Sequence, residues 1–293
     1  MSNESAPAKD RSRTRIFVDG GDPEESRRVR DALGYLDGQT TNPTLISRNP
    51  EIQRRIQAGE KLSSGELLAE YRKIVETVSA MTPDGSVSIE VYADRDTATE
   101  QMLAQGREFF GWIPNAHVKF PTTEAGLAAA ERAVADGIRV NLTLCFSQPQ
   151  AAAVYAATRG AKKGQVFVSP FVGRIDDRGE NGMDVPRNIL KMYESGDGHV
   201  EVLTASIRSR PHLDYALALG SDIITAPAKI LLEWAEDGAA VPGPDYRYDA
   251  GPLTPIPYRE LDLDADWRSF DLHHDLTDAG IEKFSADWNA LLK

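Results

Sequence analysis

The chain has 293 residues, and its 41% hydrophobic content is enough for a sizeable core. Its 33 basic and 45 acidic residues leave a formal net charge of -12, which argues against a surface that coats nucleic acid. No apolar run of about 18 residues is present to span a membrane. The opening MSNESAPAKDRSRTR lacks the apolar stretch of a secretory signal, so residues 1–14 are expected to form a disordered tail. The single cysteine, Cys145, has no partner for an intramolecular disulfide, and a cytoplasmic protein is expected.

Along the chain, short β-branched or apolar runs alternate with stretches of helical length. RIFVD (15–19) reads as the first strand, and EESRRVRDALG (24–34) as a helix closed by Gly34. GQTTN (38–42) is weak in β-propensity and is placed as a strand by its position in the alternation. VSIEV (87–91) and HVKF (117–120) follow. TEAGLAAAERAVADG (123–137) is a second clear helix, with Glu124 in the turn that favours an acid and Gly137 at its end. RVNLTL (139–144), QVFVS (165–169), EVLTAS (201–206) and DIITA (222–226) complete the strands.

Eight strand–helix units imply parallel strands with right-handed crossovers, in the α/β class. Eight units close naturally into a (β/α)₈ TIM barrel, expected over 15–238; an open doubly wound sheet is the competing arrangement. From 239 onward the Gly- and Pro-rich stretch through PGPDYRYDAGPLTPIPY reads as a connecting loop. LTDAGIEKFSADWNALLK (276–293) then has helical spacing, with Ile281, Phe284, Trp288, Leu291 and Leu292 on one side. This 239–293 extension is expected to pack on the barrel or on a neighbouring subunit. The latter would make a homo-oligomer, with a dimer favoured. The aromatic stripe reads as core rather than as a ligand box.

A strand buried on both faces should be almost wholly apolar. Polar residues at strand ends therefore stand out, because the C-terminal ends of barrel strands face the active site. Asp19 ends the first strand, Asn42 the second, Glu90 lies late in the third and Lys119 in the fourth. Asn141 and Thr143 alternate on the fifth and so share a face. Ser169 ends the sixth and Ser206 the seventh. Each has a bland alternative: Asp19 as a turn cap, Asn42 as a loop start, Glu90 and Lys119 as an inert ion pair. Asn141 and Thr143 could form a satisfied polar layer, and the two serines could simply fit tight strand ends. Their joint occurrence on neighbouring strands points to a site.

Lys119 is the most informative of them. Between Val118 and Phe120 on a core strand it is poorly solvated, which disfavours the ammonium form. A neutral amine attacks carbonyls, so a Schiff base is the natural chemistry, with Asp19 and Glu90 handling protons. Arg174 and Arg208 follow strand ends and offer planar forks for phosphate oxygens. The bland reading of Arg174 is a salt bridge to Asp176 or Asp177. No Gly-rich nucleotide loop occurs. None of His117, His199, His212, His273 and His274 has convincing metal-ligand spacing, so no metal and no other cofactor is expected. His117 reads as a hydrogen-bonded core histidine.

RIFVDG, DGQTTNPTLI, SIEV, HVKFP, GIRVNLTLCFS, VSPFVGRIDDRG and ASIR occur here in the order and rough spacing of the transaldolase family, which the chain resembles over about 15–236. The resemblance implies a Schiff base on Lys119 with a ketose phosphate and proton transfer at the C4 hydroxyl by Asp19. It implies a water handled by Glu90 and Thr143. Asn42, Asn141 and Ser206 would hold the three-carbon unit; Arg174 and Arg208 would hold the phosphate, with Ser169 nearby. The implied reaction moves a dihydroxyacetone unit between sugar phosphates in the non-oxidative pentose phosphate pathway. The rival within the fold is fructose-6-phosphate aldolase, which carries Gln for the site Glu and Tyr where this chain has Phe171. Glu90 and Phe171 favour transaldolase. Gly20-Gly21 departs from the Thr-Ala or Ser-Ala of many relatives and adds backbone freedom beside Asp19. A rival of another class is a sugar-phosphate binding protein without catalysis.

Overall fold

The computed structural model describes residues 14–243 and 245–293. The expected tail therefore lies, except for residue 14, outside the described residues. Eight parallel strands close into a barrel in chain order: β1 (Arg15–Asp19), β2 (Gly38–Thr40), β3 (Ser86–Glu90), β4 (Ala116–Pro121), β5 (Val140–Cys145), β6 (Val166–Pro170), β7 (Val200–Thr204) and β8 (Ile223–Ala226). Strand β8 pairs with β1, so the sheet has no open edge.

Around it run α1 (Pro23–Leu33), α2 (Pro43–Ser47), α3 (Pro50–Gln57), α4 (Ser64–Met81), α5 (Thr99–Phe110) and α6 (Glu124–Ala135). They are followed by α7 (Gln148–Ala157), α8 (Val172–Asp176), α9 (Asp184–Tyr193), α10 (Arg210–Ala218), α11 (Ala228–Glu236) and α12 (Asp275–Asn289). Side chains start most of the long helices by accepting backbone N–H groups that the helix itself cannot satisfy: Asp22, Ser63, Thr123, Ser147 and Ser209 do so. Gly34 ends α1 in the left-handed conformation expected of a C-cap.

Period-two alternation sorts the strands into an apolar outer face and a graded interior. Ile16 and Val18 face the surrounding helices, while Phe17 turns inward against Phe167. His117 stacks on the same Phe167 ring at 4.0 Å and is bonded by Ser86 and the Gly164 carbonyl. Burial pushes its imidazole down to about 3, so it is a neutral core histidine. The floor of the barrel is thus aromatic, and the polar residues collect above it.

Two strands are shorter than their sequence suggests. Asn42 does not end β2; it is the N-cap of α2, its side chain accepting from Leu45 N–H at 2.9 Å. Ser206 lies beyond β7 because its φ of 58° turns the chain out of the extended region.

Helix α12 lies across the C-terminal ends of the strands, against α2 and β5. Thr277 donates to the Leu144 carbonyl at 2.9 Å and Asn289 to the Tyr92 hydroxyl at 3.0 Å, while Thr44 bonds Asp287. Leu144 adopts a φ of 56°, a costly conformation for a leucine, at the point where its carbonyl meets Thr277. Gly280 permits the close seat: a Cβ there would stand 2.6 Å from Leu144 Cδ2 and 2.8 Å from Arg174 Nη1. Gly280→Val is therefore expected to destabilise the protein by about 1–3 kcal/mol through overpacking, read as a lower midpoint in urea unfolding.

Candidate active site

Strand register brings the ionisable residues together. Glu90 and Lys119 are partners on β3 and β4, and Lys119 and Asn141 are partners on β4 and β5. Lys119 Nζ lies 2.8 Å from Glu90 Oε2, with both side chains at most 5% exposed. Its directed hydrogen bond goes elsewhere, to the Thr41 carbonyl at 2.9 Å. Glu90 Oε2 itself has no aligned hydrogen bond, and neither has the buried hydroxyl of Thr143. Burial raises the Glu90 carboxyl above its usual range against the opposing attraction of Lys119. Lys119 is thus buried with a carboxyl group at contact distance rather than against a wholly apolar wall.

Asp19 is raised for the same reason, desolvation, with Lys119, the Thr40 hydroxyl and Arg174 pulling the other way. Thr40 donates to Asp19 Oδ1 at 2.8 Å and contacts the Thr225 hydroxyl at 2.6 Å. Asn141 donates to Ser88 Oγ at 3.1 Å and accepts from Ser169 at 2.7 Å, so three strands share one polar layer.

Above this layer opens a cavity of about 470 Å³. Asp19, Asn42, Phe171, Arg174, Ser206 and Arg208 line it, whereas Lys119, Glu90, Asn141, Thr143 and Ser169 are buried in the barrel and do not. Arg174 lies between the rings of Phe171 and Phe284, with Cζ 5.4 and 5.2 Å from their centroids. Among the described residues no carboxylate lies within ion-pair distance of it, so the alternative, a salt bridge to Asp176 or Asp177, is not made. Asp177 pairs with Arg208 at 2.5 Å and Asp176 with His212 at 2.9 Å. Gly173 makes room for Arg208, since a Cβ there would fall 2.5 Å from its Nε. The cavity thus has the Asp19 carboxyl and the Arg174 and Arg208 guanidinium groups in its wall, while the Lys119–Glu90 pair is buried in the barrel behind it.

Several contributors escape the sequence reading. Thr225 and Ser88 are polar strand residues that the same strand-end criterion could have found. Tyr71 on α4 could not be read from its spacing. Its hydroxyl accepts from Glu90 N–H at 2.9 Å and meets Thr41 Oγ1 at 2.6 Å. Thr41 Oγ1 donates to the Ser88 carbonyl, so Tyr71 is the donor to Thr41. Phe284, read as core, is buried at 4% exposure and also lines the cavity. Among the described residues no group of His, Cys, Asp and Glu is arranged to hold a metal ion. No described helix is long and apolar enough to cross a membrane.

Residues 16–293 match the family described as transaldolase/fructose-6-phosphate aldolase. A protein of Dehalococcoides mccartyi named probable transaldolase is 33% identical over 279 residues, covering 95% of this chain and 100% of its own. A probable transaldolase of Thermus thermophilus is 36% identical over 273 residues, 93% of this chain and 97% of its own. One from Brucella anthropi is 34% identical over 274 residues, 94% and 96% respectively. With the closed eight-stranded barrel and the polar layer at its strand ends, these likenesses identify the chain as an enzyme of the transaldolase/fructose-6-phosphate aldolase family.

Proposed function

We propose that the enzyme is a transaldolase, transferring a dihydroxyacetone unit from a ketose phosphate to an aldose phosphate through a Schiff base on Lys119. The observation that carries this reading is the buried Lys119–Glu90 contact beneath a cavity whose Arg174 has no anionic partner among the described residues. Proton transfer from the ammonium to Glu90 Oε2, 2.8 Å away, frees the amine to attack the C2 carbonyl of fructose 6-phosphate or sedoheptulose 7-phosphate. Loss of the C2 oxygen as water gives the Schiff base. Asp19 takes the C4 hydroxyl proton, the C3–C4 bond breaks into the iminium, and an aldose phosphate leaves. The carbanion left on Lys119 is resonance-stabilised. It adds to glyceraldehyde 3-phosphate or erythrose 4-phosphate, and water then releases the new ketose.

The remaining residues fit this scheme. The raised Asp19 carboxyl is a stronger base than an exposed aspartate, which suits abstraction of a hydroxyl proton near neutral pH. The unpartnered oxygens of Glu90 and Thr143 suit a water that relays protons during Schiff-base formation and hydrolysis. Asn42, Asn141 and Ser206 hold hydroxyls of the three-carbon unit, with Ser169 orienting Asn141. Arg174 and Arg208 hold the phosphate, beside Phe171. Aldolase chemistry releasing free dihydroxyacetone is the second reading; Glu90 and Phe171 stand against it as the residues in which fructose-6-phosphate aldolases differ. The reaction belongs to the non-oxidative pentose phosphate route in the cytoplasm.

Borohydride added with fructose 6-phosphate is expected to leave a reduced three-carbon adduct on the peptide holding Lys119, and none in Lys119→Met. Absence of the adduct in folded, sugar-binding protein would sink the Schiff-base reading. Free dihydroxyacetone formed without an acceptor would indicate the aldolase. Arg174→Ala is expected to raise KM for fructose 6-phosphate on the order of ten- to a hundredfold, the worth of a charge-assisted phosphate contact, in steady-state assays.

Asp19 also links stability to pH. Its carboxyl is raised in the folded protein, so the stability it contributes is full below the ordinary value of 3.8 and is lost as pH rises through the folded value. Asn at this position stays neutral throughout. Asp19→Asn is therefore expected to be inactive yet to melt higher than wild type at pH 8, with the difference shrinking as pH falls toward 4. A thermal melt series across that range checks it.

A further inference from the structure

The two carboxyl groups open onto different spaces. Asp19 lines the large cavity, whereas Glu90 lines a separate small one of about 10 Å³, the volume swept by one water-sized sphere. The small cavity lies between the ends of β3, β4 and β5 and the underside of α12. Apart from Glu90 and Ser285 its wall is largely apolar, with Leu144, Ile281 and Phe284 among the lining residues. Phe284 lines both spaces and so forms the partition between them.

Schiff-base chemistry gives such a second space a use. Schiff-base formation expels the C2 oxygen of the ketose as one water, and hydrolysis returns one. At that moment the sugar occupies the large cavity, and the aromatic floor of Phe17 and Phe167 closes the barrel below. With the sugar in the large cavity, the small one is the other space onto which the Lys119–Glu90 pair opens, through Glu90. Beside Lys119 stands Glu90, whose Oε2 is buried, lacks an aligned hydrogen bond and belongs to a residue that lines the small cavity. The apolar lining gives passing water few hydrogen bonds, which suits a conduit rather than a store.

We propose that this small cavity under α12 is a water port serving Glu90, distinct from the sugar pocket, through which the water of Schiff-base formation and hydrolysis passes. The proposal rests on the Schiff-base reading above. It makes Ser285 and Ile281 determinants of the water steps, without contact with the sugar. Filling the port slows exchange of the C2 oxygen while leaving sugar binding alone.

The test is oxygen exchange. Each reversible Schiff-base cycle in H₂¹⁸O replaces the C2 oxygen of fructose 6-phosphate, and mass spectrometry reads the label above the uncatalysed rate. Ser285→Val from α12 and Ala93→Val from the opposite wall each narrow the port. Either variant is expected to cut wash-in by about tenfold or more, as loss of a relayed proton transfer would. Affinity for fructose 6-phosphate, measured with each change combined with Lys119→Met, stays at that of Lys119→Met alone. Wash-in at the wild-type rate in a variant whose crystal structure has the port filled overturns the proposal. So does a loss of wash-in matched by an equal loss of sugar affinity, which would make the port part of the sugar pocket. Because the two substitutions enter from different walls, one that fails to fold leaves the other to decide. Wild-type protein showing no Lys119-dependent wash-in would instead overturn the Schiff-base reading itself.

Discussion

An ammonium and a carboxylate held 2.8 Å apart inside a barrel are the constraint around which the rest of this structure is arranged. Taking both charges out of water costs more than their mutual attraction returns unless neighbours share the load. Here the neighbours are specific. The Thr41 carbonyl takes the lysine hydrogen bond, and Tyr71, from α4, bonds the Thr41 hydroxyl and the Glu90 backbone N–H. Tyr71 is itself packed against Phe109, Trp112 and Trp288, with its phenol raised by burial and far from ionising. The buried pair is therefore supported by an aromatic cluster on the outside of the sheet. An apolar layer of that kind keeps positions fixed because interiors pack as densely as crystals and yield little.

The same economy governs the mouth of the site. Arg174 and Arg208 each lie over a glycine, Gly280 and Gly173, so that helix or loop backbone comes up against the guanidinium stems. A planar cation clamped between two rings gives up little rotamer entropy when an anion arrives. The two non-glycine residues with left-handed φ nearest the site, Leu144 and Ser206, sit where β5 and β7 end. Leu144 directs a carbonyl to the helix above, and Ser206 directs a side chain into the cavity. Backbone strain at both places serves to aim a group.

Much of this was legible before the structure, for a physical reason. A lysine, a glutamate and an asparagine on strands that should be apolar are too costly to be accidental, and strand ends are where a barrel keeps its chemistry. The alternation of strands and helices was equally plain, and even the weak GQTTN segment fell into place by position. What stayed hidden depends on contacts distant in sequence. Asn42 reads as a strand end although Asn-Pro is itself a helix-start signal, because the helix it caps is only five residues long. For Arg174 the sequence leaves an ordinary salt bridge to its neighbours Asp176 and Asp177 open beside the phosphate reading, and only the fold shows those carboxylates turned to His212 and Arg208. Phe284 carries the same amphipathic signature whether its ring faces a core or a ligand; only the crossing of α12 over the barrel decides.

That crossing has a consequence for how the protein is made. Asp19 stands on the first strand to leave the ribosome, whereas Phe284 and Ser285 emerge more than two hundred residues later. A nascent chain that has already closed all eight strands still lacks Phe284 and Ser285, and with them the α12 wall of the two cavities. Synthesis runs N-terminal first and barrels fold as units, so this interval is built into the order of the sequence. The two spaces are complete only when a segment outside the barrel comes down over the strand ends.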